Sequence, residues 1–300
     1  MSEPLTRYYL FGHPVTASLS PAMHNAAFRT IGLTARYEAV DVGPDEFVRA
    51  ARERLSADDF GGANVTIPHK RAAMGLCAVL SPDASAAVAV NTLVRESAGR
   101  PGQPRIIGHN TDVTAVRSLL RRHLSARPGT ALLIGAGGAA SGVVVALAGM
   151  GLELLLVLNR SEAAATQLAE MSRGLGLAAE AGALDRPSLA RFLADPTLAV
   201  AINATPLKDE EEWRPLGLRE AWGSAVPGAA AHTTKARLPV ALDLAYRDRP
   251  TFFTVAAARA GCRTIDGREM LIAQGAAAFR LWTGLDAPVE VMRAAVQPSR

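Results

Sequence analysis

The stretch GGANVTIPHK, residues 61–70, gathers Asn64, Thr66, His69 and Lys70 around a Val-Thr-Ile run that stops at Pro68. Pro68 suits the first turn of a helix, where its missing N–H would be unpaired anyway. The spacing therefore predicts Lys70 in that first turn beside Arg71, where the positive end of the helix dipole disfavours an ammonium and helps the amine work as an acid/base group. The competing role is that of a solvated surface lysine. A second polar cluster, GHNTD at 108–112, precedes the helical pattern VTAVRSLLRRHL, and its Asp112 can serve as a helix cap or as a catalytic carboxylate. SLSPAMHN sets Ser18 and Ser20 before Pro21, a pattern for capping a helix that runs through Met23 to Thr30. In GREMLIAQGAAAFRLWTG, read as a helix ending at Gly284, Gln274 falls on the apolar stripe, so its amide needs partners in the core or on a ligand.

A different chemistry belongs to GAGGAA, Gly135 to Ala140, which matches GxGxxG/A. Gly135 permits the tight turn out of a strand, Gly137 lets backbone approach a pyrophosphate, and Ala140 is small enough for close helix–strand packing. The following helix would direct its free N–H groups at the phosphates. The next strand ends in LNRS, where Asn159, Arg160 and Ser161 offer donors and a positive charge in place of the acidic residue that favours NAD. NADP is the expected cofactor, with Arg160 as a merely solvated residue the alternative.

These residues need elements to hold them. Short apolar segments alternate with helical ones along the chain: YYLFG, RYEAVDV, GGANVTI, AVNTLV, ALLIG, LELLLVL, LAVAINAT and PVALDLA. That alternation predicts α/β architecture with mostly parallel sheets. Ala131 to Leu158 is nearly uncharged and long enough to span a bilayer, but six glycines interrupt it, so strand, turn, helix and strand fit better. The segment from Leu207 to Leu238 reads as loop.

The composition, 49% hydrophobic and 20% charged over 300 residues, fits a globular protein long enough for two domains. A formal charge of +4, with Lys and Arg scattered and few aromatics among them, gives no nucleic-acid footprint. Cys77 and Cys262 are too few for a disulfide framework, and the start MSEPLTRYYLFGHP has too short an apolar run for a signal peptide, so a cytoplasmic setting is expected. The histidines show no HxxxH or HExxH spacing, so no metal is expected; His13, His69 and His109 lie beside the candidate segments. Monomer and homodimer both fit.

Taken together, SLSPAMHN, GANVTIPHK, AVNTLV, GHNTD, GAGGAA, LNRS, INATPL, DLAYRDRPT and DGREMLIAQGAAAFRLWTG resemble the shikimate dehydrogenase family and its quinate dehydrogenase relatives over nearly the whole chain. The resemblance implies an NADP-dependent oxidoreductase that interconverts 3-dehydroshikimate and shikimate, on the route to aromatic amino acids. It implies a discontinuous α/β substrate domain at 1–112 and 266–300, a Rossmann-like dinucleotide-binding domain at 113–265, and an active-site cleft between them. Lys70 and Asp112 would be the catalytic pair. Ser18, Ser20 and Tyr246 would hold the substrate carboxylate, and Thr66, Asn91, Asp112 and Gln274 the ring hydroxyls. Gly135, Gly137, Gly138, Ala139, Asn159, Arg160, Ser161 and Thr205 would bind the cofactor. The chain departs from the family at Val113 and Ala115, where glycine is usual, at Lys208, and at Ser141 and Ala164, where basic residues are common. These changes leave Arg160 as the main phosphate anchor and keep open NAD use, and quinate or an aminoshikimate as substrate. A non-catalytic sensor of a ring acid or cofactor is the reading from another class.

Overall fold

A computed structural model describes residues 4–100, 103–124, 129–225 and 238–297. The chain divides into two compact units, residues 1–115 with 271–300, and residues 116–270.

The first unit carries strands β1 (Thr6–Gly12), β2 (Ala35–Asp41), β3 (Phe60–Val65), β4 (Val79–Leu80), β5 (Thr92–Arg100) and β6 (Gln103–His109). They form one sheet in the order β2-β1-β3-β5-β6-β4. The β1–β2, β1–β3 and β4–β6 pairs are parallel, whereas β5 runs antiparallel to both β3 and β6. The helix Pro44–Leu55 covers one part of this sheet with Phe47, Ala51 and Leu55, all buried against Phe11, Val65 and Leu93. On the long helix Gly267–Thr283, Trp282 lies so close to Gly62 that a Cβ there would come within 2.4 Å of the indole, whose N–H donates to the Leu93 carbonyl. Gly62 is thus the residue that lets this helix reach the sheet.

The second unit carries β7 (Thr130–Ile134), β8 (Leu154–Asn159), β9 (Ala178–Ala183), β10 (Leu198–Asn203), β11 (Val240–Asp243) and β12 (Arg263–Ile265). Their order is β12-β11-β10-β7-β8-β9, with every pair parallel. The chain therefore winds outward from β7 in two directions, and the reversal falls between β7 and β10, the position where such sheets bind ligands. The uncharged run from 131 to 158 resolves into β7, the helix Ala140–Ala148 and β8; its strands are continuously apolar because they are buried on both faces. Among the described residues no helix is long and apolar enough to cross a membrane.

Several expectations need correction. No helix begins at Pro68: the His69 N–H closes a turn onto the Thr66 carbonyl, and a 3-10 helix starts only at Ala72. The cause is the buried His69 ring, which stacks on Phe47 at 4.3 Å and holds the Val42 carbonyl through Nε2 at 2.7 Å. The helix-dipole argument for Lys70 falls with it. AVNTLV enters its strand only at Thr92, and GGANVTI leaves its strand at Val65. Short β4, β6, the Ala-rich β9 and β12 were not among the expected strands, because none combines length with an apolar run. The expected loop from Leu207 contains helices Glu210–Trp213 and Leu218–Ala225, while its residues 226–237 lie outside the described residues. A capping box of Asp209 and Glu212 starts the first of these helices, and fully buried Trp213 and Trp222 pack on Phe253.

Candidate active site

In the first unit the end of β3, the start of β5 and the end of β6 meet through backbone bonds: Val65 N–H donates to the Asn91 carbonyl at 2.8 Å and Asn91 N–H to the His109 carbonyl at 3.0 Å. Beyond those points lie the loop bearing Lys70 and the helix Thr111–Arg121 bearing Asp112. Lys70 Nζ donates to Asp112 Oδ2 at 2.6 Å, with both side chains only 12% exposed. A charge-assisted contact of that length, largely shielded from water, is a strong one. It holds an ammonium where a proton can be delivered or recovered.

A neutral network sets this pair in place. Asn91 Oδ1 accepts from the Thr111 N–H at 2.7 Å, the Thr111 hydroxyl at 3.1 Å and the Thr92 hydroxyl at 3.0 Å. The Asn91 side chain thus satisfies one free N–H at the start of the helix that presents Asp112. Asn64 Nδ2 donates to Thr92 Oγ1 at 3.0 Å, and the Tyr37 hydroxyl donates to Asn64 Oδ1 at 2.8 Å. Asn64, Asn91, Thr92 and Thr111 are all buried. The main chain is pinned as well, since Val90 N–H donates to the Lys70 carbonyl at 2.9 Å.

The other expected substrate residues are less committed. Ser18 Oγ accepts the Ser20 N–H at 3.2 Å; Leu19 takes the helix cap position without a side-chain bond, so the serines do not cap the Ser20–Thr30 helix in the expected way. The Ser20 and Thr66 hydroxyls and Asn91 Nδ2 make no hydrogen bond among the described residues, which leaves them as donors and acceptors. Gln274 is half-buried, and its Nε2 donates back to the Leu271 carbonyl at 2.9 Å, leaving Oε1 as an acceptor. Tyr246 belongs to the second unit, after β11. Val113 and Ala115 are fully buried, so their side chains take up core volume. His109 is half-buried, which pushes its pKa down. Burial raises the Cys77 and Cys262 thiols to about 12 and 11, away from the reactive range.

In the second unit, Gly135 directly follows β7 with φ +105° and lies against Ala204 and Thr205; a Cβ on it would stand 2.9 Å from the Ala204 carbonyl carbon and from Thr205 Cγ2. Its N–H donates to the Leu158 carbonyl at 2.7 Å. Gly137 and Gly138 are exposed, and a Cβ at either would meet nothing within 4 Å, so the turn has the open backbone that a pyrophosphate needs. Ala140 is fully buried where the helix meets the sheet. These residues fit a dinucleotide. At the end of β8, Asn159 Nδ2 donates to the Ser161 carbonyl, and Ser161 Oγ caps the next helix by accepting the Ala164 N–H. Arg160 is exposed and, among the described residues, makes no ion pair or hydrogen bond, so its guanidinium is free for an anion.

The residues missed by sequence reasoning lie behind both sites: Tyr37 and Thr92 in the first unit, Asn203 and Asp243 in the second. The available signal was the polar residue inside or ending an otherwise apolar strand, which a buried position must satisfy.

Comparison with known proteins places the chain in a family. Residues 10–93 match the family model described as the shikimate dehydrogenase substrate binding domain, and residues 267–297 the shikimate 5'-dehydrogenase C-terminal domain. The chain is 40% identical over 292 residues to the shikimate dehydrogenase (NADP(+)) of Methanopyrus kandleri, covering 96% of this chain and 93% of that one. Among solved structures, that of the Thermus thermophilus shikimate 5-dehydrogenase in complex with NADP(H) and shikimate superposes with a TM-score of 0.74 at 35% identity, over 97% of this chain and 98% of that one. The Listeria monocytogenes shikimate 5-dehydrogenase in complex with shikimate and NAD gives a TM-score of 0.80 at 27% identity, over 98% and 97% of the two chains.

Proposed function

Because the chain belongs to the shikimate dehydrogenase family, we propose that it catalyses the reversible NADP-dependent reduction of 3-dehydroshikimate to shikimate, with Lys70 and Asp112 as its catalytic pair. The observation that carries this reading is the shielded Lys70–Asp112 contact at 2.6 Å. NADPH, when bound, would supply the hydride for the ring carbon. Lys70 gives a proton to the carbonyl oxygen as that carbon is reduced and takes it back in the reverse direction. Asp112 keeps the amine aimed at that oxygen and accepts from a neighbouring ring hydroxyl.

Around the pair, Asn91 offers its free Nδ2 as a donor to a ring hydroxyl, Gln274 offers Oε1 as an acceptor, and Thr66 offers a hydroxyl that can do either. Ser18 and Ser20 hold the carboxylate, a role that the family pattern also assigns to Tyr246. Gly135, Gly137, Gly138 and Ala139 cradle the pyrophosphate, Thr205 borders the turn, and Asn159, Arg160 and Ser161 receive the ribose phosphate. NAD is a second cofactor, used less well. It is favoured by one feature: Ala164 and Ser141 supply no charge, so Arg160 is the main group that distinguishes a 2′-phosphate from a hydroxyl.

The test is the initial rate of NADP and NAD reduction by the purified protein with shikimate and with quinate, followed at the nicotinamide absorbance. Fastest turnover with shikimate and NADP is expected. Faster turnover of quinate, or absence of turnover with every pairing, would overturn the assignment.

A further inference from the structure

At the C-terminal edge of the second sheet, Asn203 ends β10 and Asp243 ends β11, directly paired in register. Both are fully buried. Asn203 Nδ2 donates to Asp243 Oδ1 at 2.9 Å, and the other side of the same amide, Oδ1, accepts from the Thr205 N–H at 3.0 Å and the Thr205 hydroxyl at 2.6 Å. Asp243 is fixed in turn by the Ala245 N–H at 2.9 Å on Oδ1 and by the Thr251 hydroxyl at 2.5 Å on Oδ2. Thr251 caps the helix Phe252–Arg259. One buried carboxylate therefore ties the loop after β11 and a helix start to the turn after β10.

That turn is the part of the unit that overhangs the glycine turn. Ala204 N–H donates to the Ile134 carbonyl at 2.8 Å, and the Ala204 carbonyl carbon and Thr205 Cγ2 occupy the space a Gly135 side chain would need. The separation between Gly135 and Thr205 thus depends on where Asn203 sets Thr205. With two donors on its Oδ1 and Asp243 on its Nδ2, the Asn203 amide has one orientation only.

We propose that Asp243, acting through Asn203, is a positioning residue for the cofactor: it sets the Ala204–Thr205 turn at the height over Gly135 at which a dinucleotide fits. The proposal rests on the reading of this unit as NADP-binding. Asp243 does not touch the reacting atoms, and its effect is carried by the turn. Replacing the carboxylate by a methyl group leaves Asn203 Nδ2 with its longer contact to the Leu207 carbonyl at 3.5 Å, so the amide that accepts the Thr205 N–H and hydroxyl is held less firmly.

The test uses the full chain and measures the NADPH dissociation constant by titrating nicotinamide fluorescence, beside the KM for shikimate. Asp243→Ala is expected to weaken NADPH binding about tenfold or more while shikimate KM stays within about twofold. Asn203→Ala, which leaves Asp243 its Ala245 and Thr251 donors, should do the same, and the double variant should be no worse than the more affected single one, because both remove a single link. Asp243→Asn keeps an oxygen for Asn203 and Ala245 and should recover most of the affinity. Unchanged NADPH binding in a folded Asp243→Ala protein, additive losses in the double variant, or an equal loss in shikimate KM would overturn the proposal. If Asp243→Ala does not fold, Asn203→Ala decides alone, and wild-type affinity there overturns it. Failure of the wild type to bind NADPH at all would strike the cofactor reading itself, a result distinct from any difference between variants.

Discussion

The two units solve the same problem, fixing a loop at the C-terminal end of a sheet, with opposite materials. In the first, the helix that presents Asp112 is held by amides and hydroxyls, Asn64, Asn91, Thr92 and Thr111, none of which titrates near neutrality. In the second, the Thr205 turn is held through Asn203 by the buried carboxylate of Asp243. The difference follows from what each network supports. The first sits behind an ammonium–carboxylate pair, and a further buried charge there would compete with the pair for its own counter-charge. The second supports open glycine backbone, which carries no charge of its own to disturb.

Substitutions at Lys70 test the first half of this comparison most strongly. Lys70→Ala should lower kcat by about three orders of magnitude, within the usual range for a lost acid/base group, with shikimate and NADPH binding changed by a few fold. A loss confined to KM would show that the pair only binds. At Gly135 the second unit is most exposed to damage, since φ +105° and the 2.9 Å approach of Ala204 leave no room for a Cβ. Gly135→Ala should cost roughly 2–4 kcal/mol of stability in denaturant melts and weaken NADPH more than shikimate.

The charge of Asp243 should also show in the pH dependence of stability. Burial pushes its carboxyl up to about 6, with Asp266 adding to the rise and the Thr251, Ala245 and Asn203 bonds opposing it. The folded state therefore binds the proton more tightly than the unfolded chain. The stability it contributes is complete below the unfolded value near 3.8 and is lost as pH rises through about 6. Over that window the wild type should lose roughly 2–3 kcal/mol relative to Asp243→Asn. The comparison must be taken as that difference, because Asp41, Asp185, Asp209 and Glu212 have lowered pKa values from their hydrogen bonds and lose stability as pH falls. Equal slopes in the two proteins would show that folding leaves the Asp243 pKa at its unfolded value.

The smallest effect is expected in the neutral network. Tyr37→Phe removes one donor from Asn64 Oδ1 and should cost about 1–2 kcal/mol of stability, with kcat within about threefold of wild type and no new pH dependence. A kcat loss as large as that of Lys70→Ala would mean that the neutral network does more than hold the pair in place.

Features carried by local sequence were legible without the structure. GAGGAA announced its turn because the demand for φ > 0 and for open backbone acts within a few residues. The parallel strands β7 and β8 were legible because burial on both faces leaves a continuous apolar run. Lys70 and Asp112 were recognisable as a pair only through the family pattern; the helix expected around Lys70 was wrong because a distant contact, His69 on Phe47 and Val42, outweighed the preference of Pro68. Thr92 and Asn203 gave the faint signal of a polar residue at a strand end, but nothing in the chain says which partner it takes. Asn203 and Asp243 are 40 residues apart, and Lys70 and Asp112 are 42 apart.

The amino-acid sequence by itself thus determined the architecture of alternating strands and helices, the glycine turn and the chemical types at the two candidate sites, because turn sterics and hydrophobic periodicity are short-range. Tertiary structure alone decided that Lys70 meets Asp112 at 2.6 Å, that Asn91 accepts the first N–H of the helix bearing that aspartate, and that Asp243 meets Asn203 beside the turn over Gly135. Each of these depends on strands that lie side by side in a sheet while far apart in the chain, and hydrogen bonds of that kind are fixed by strand order and register.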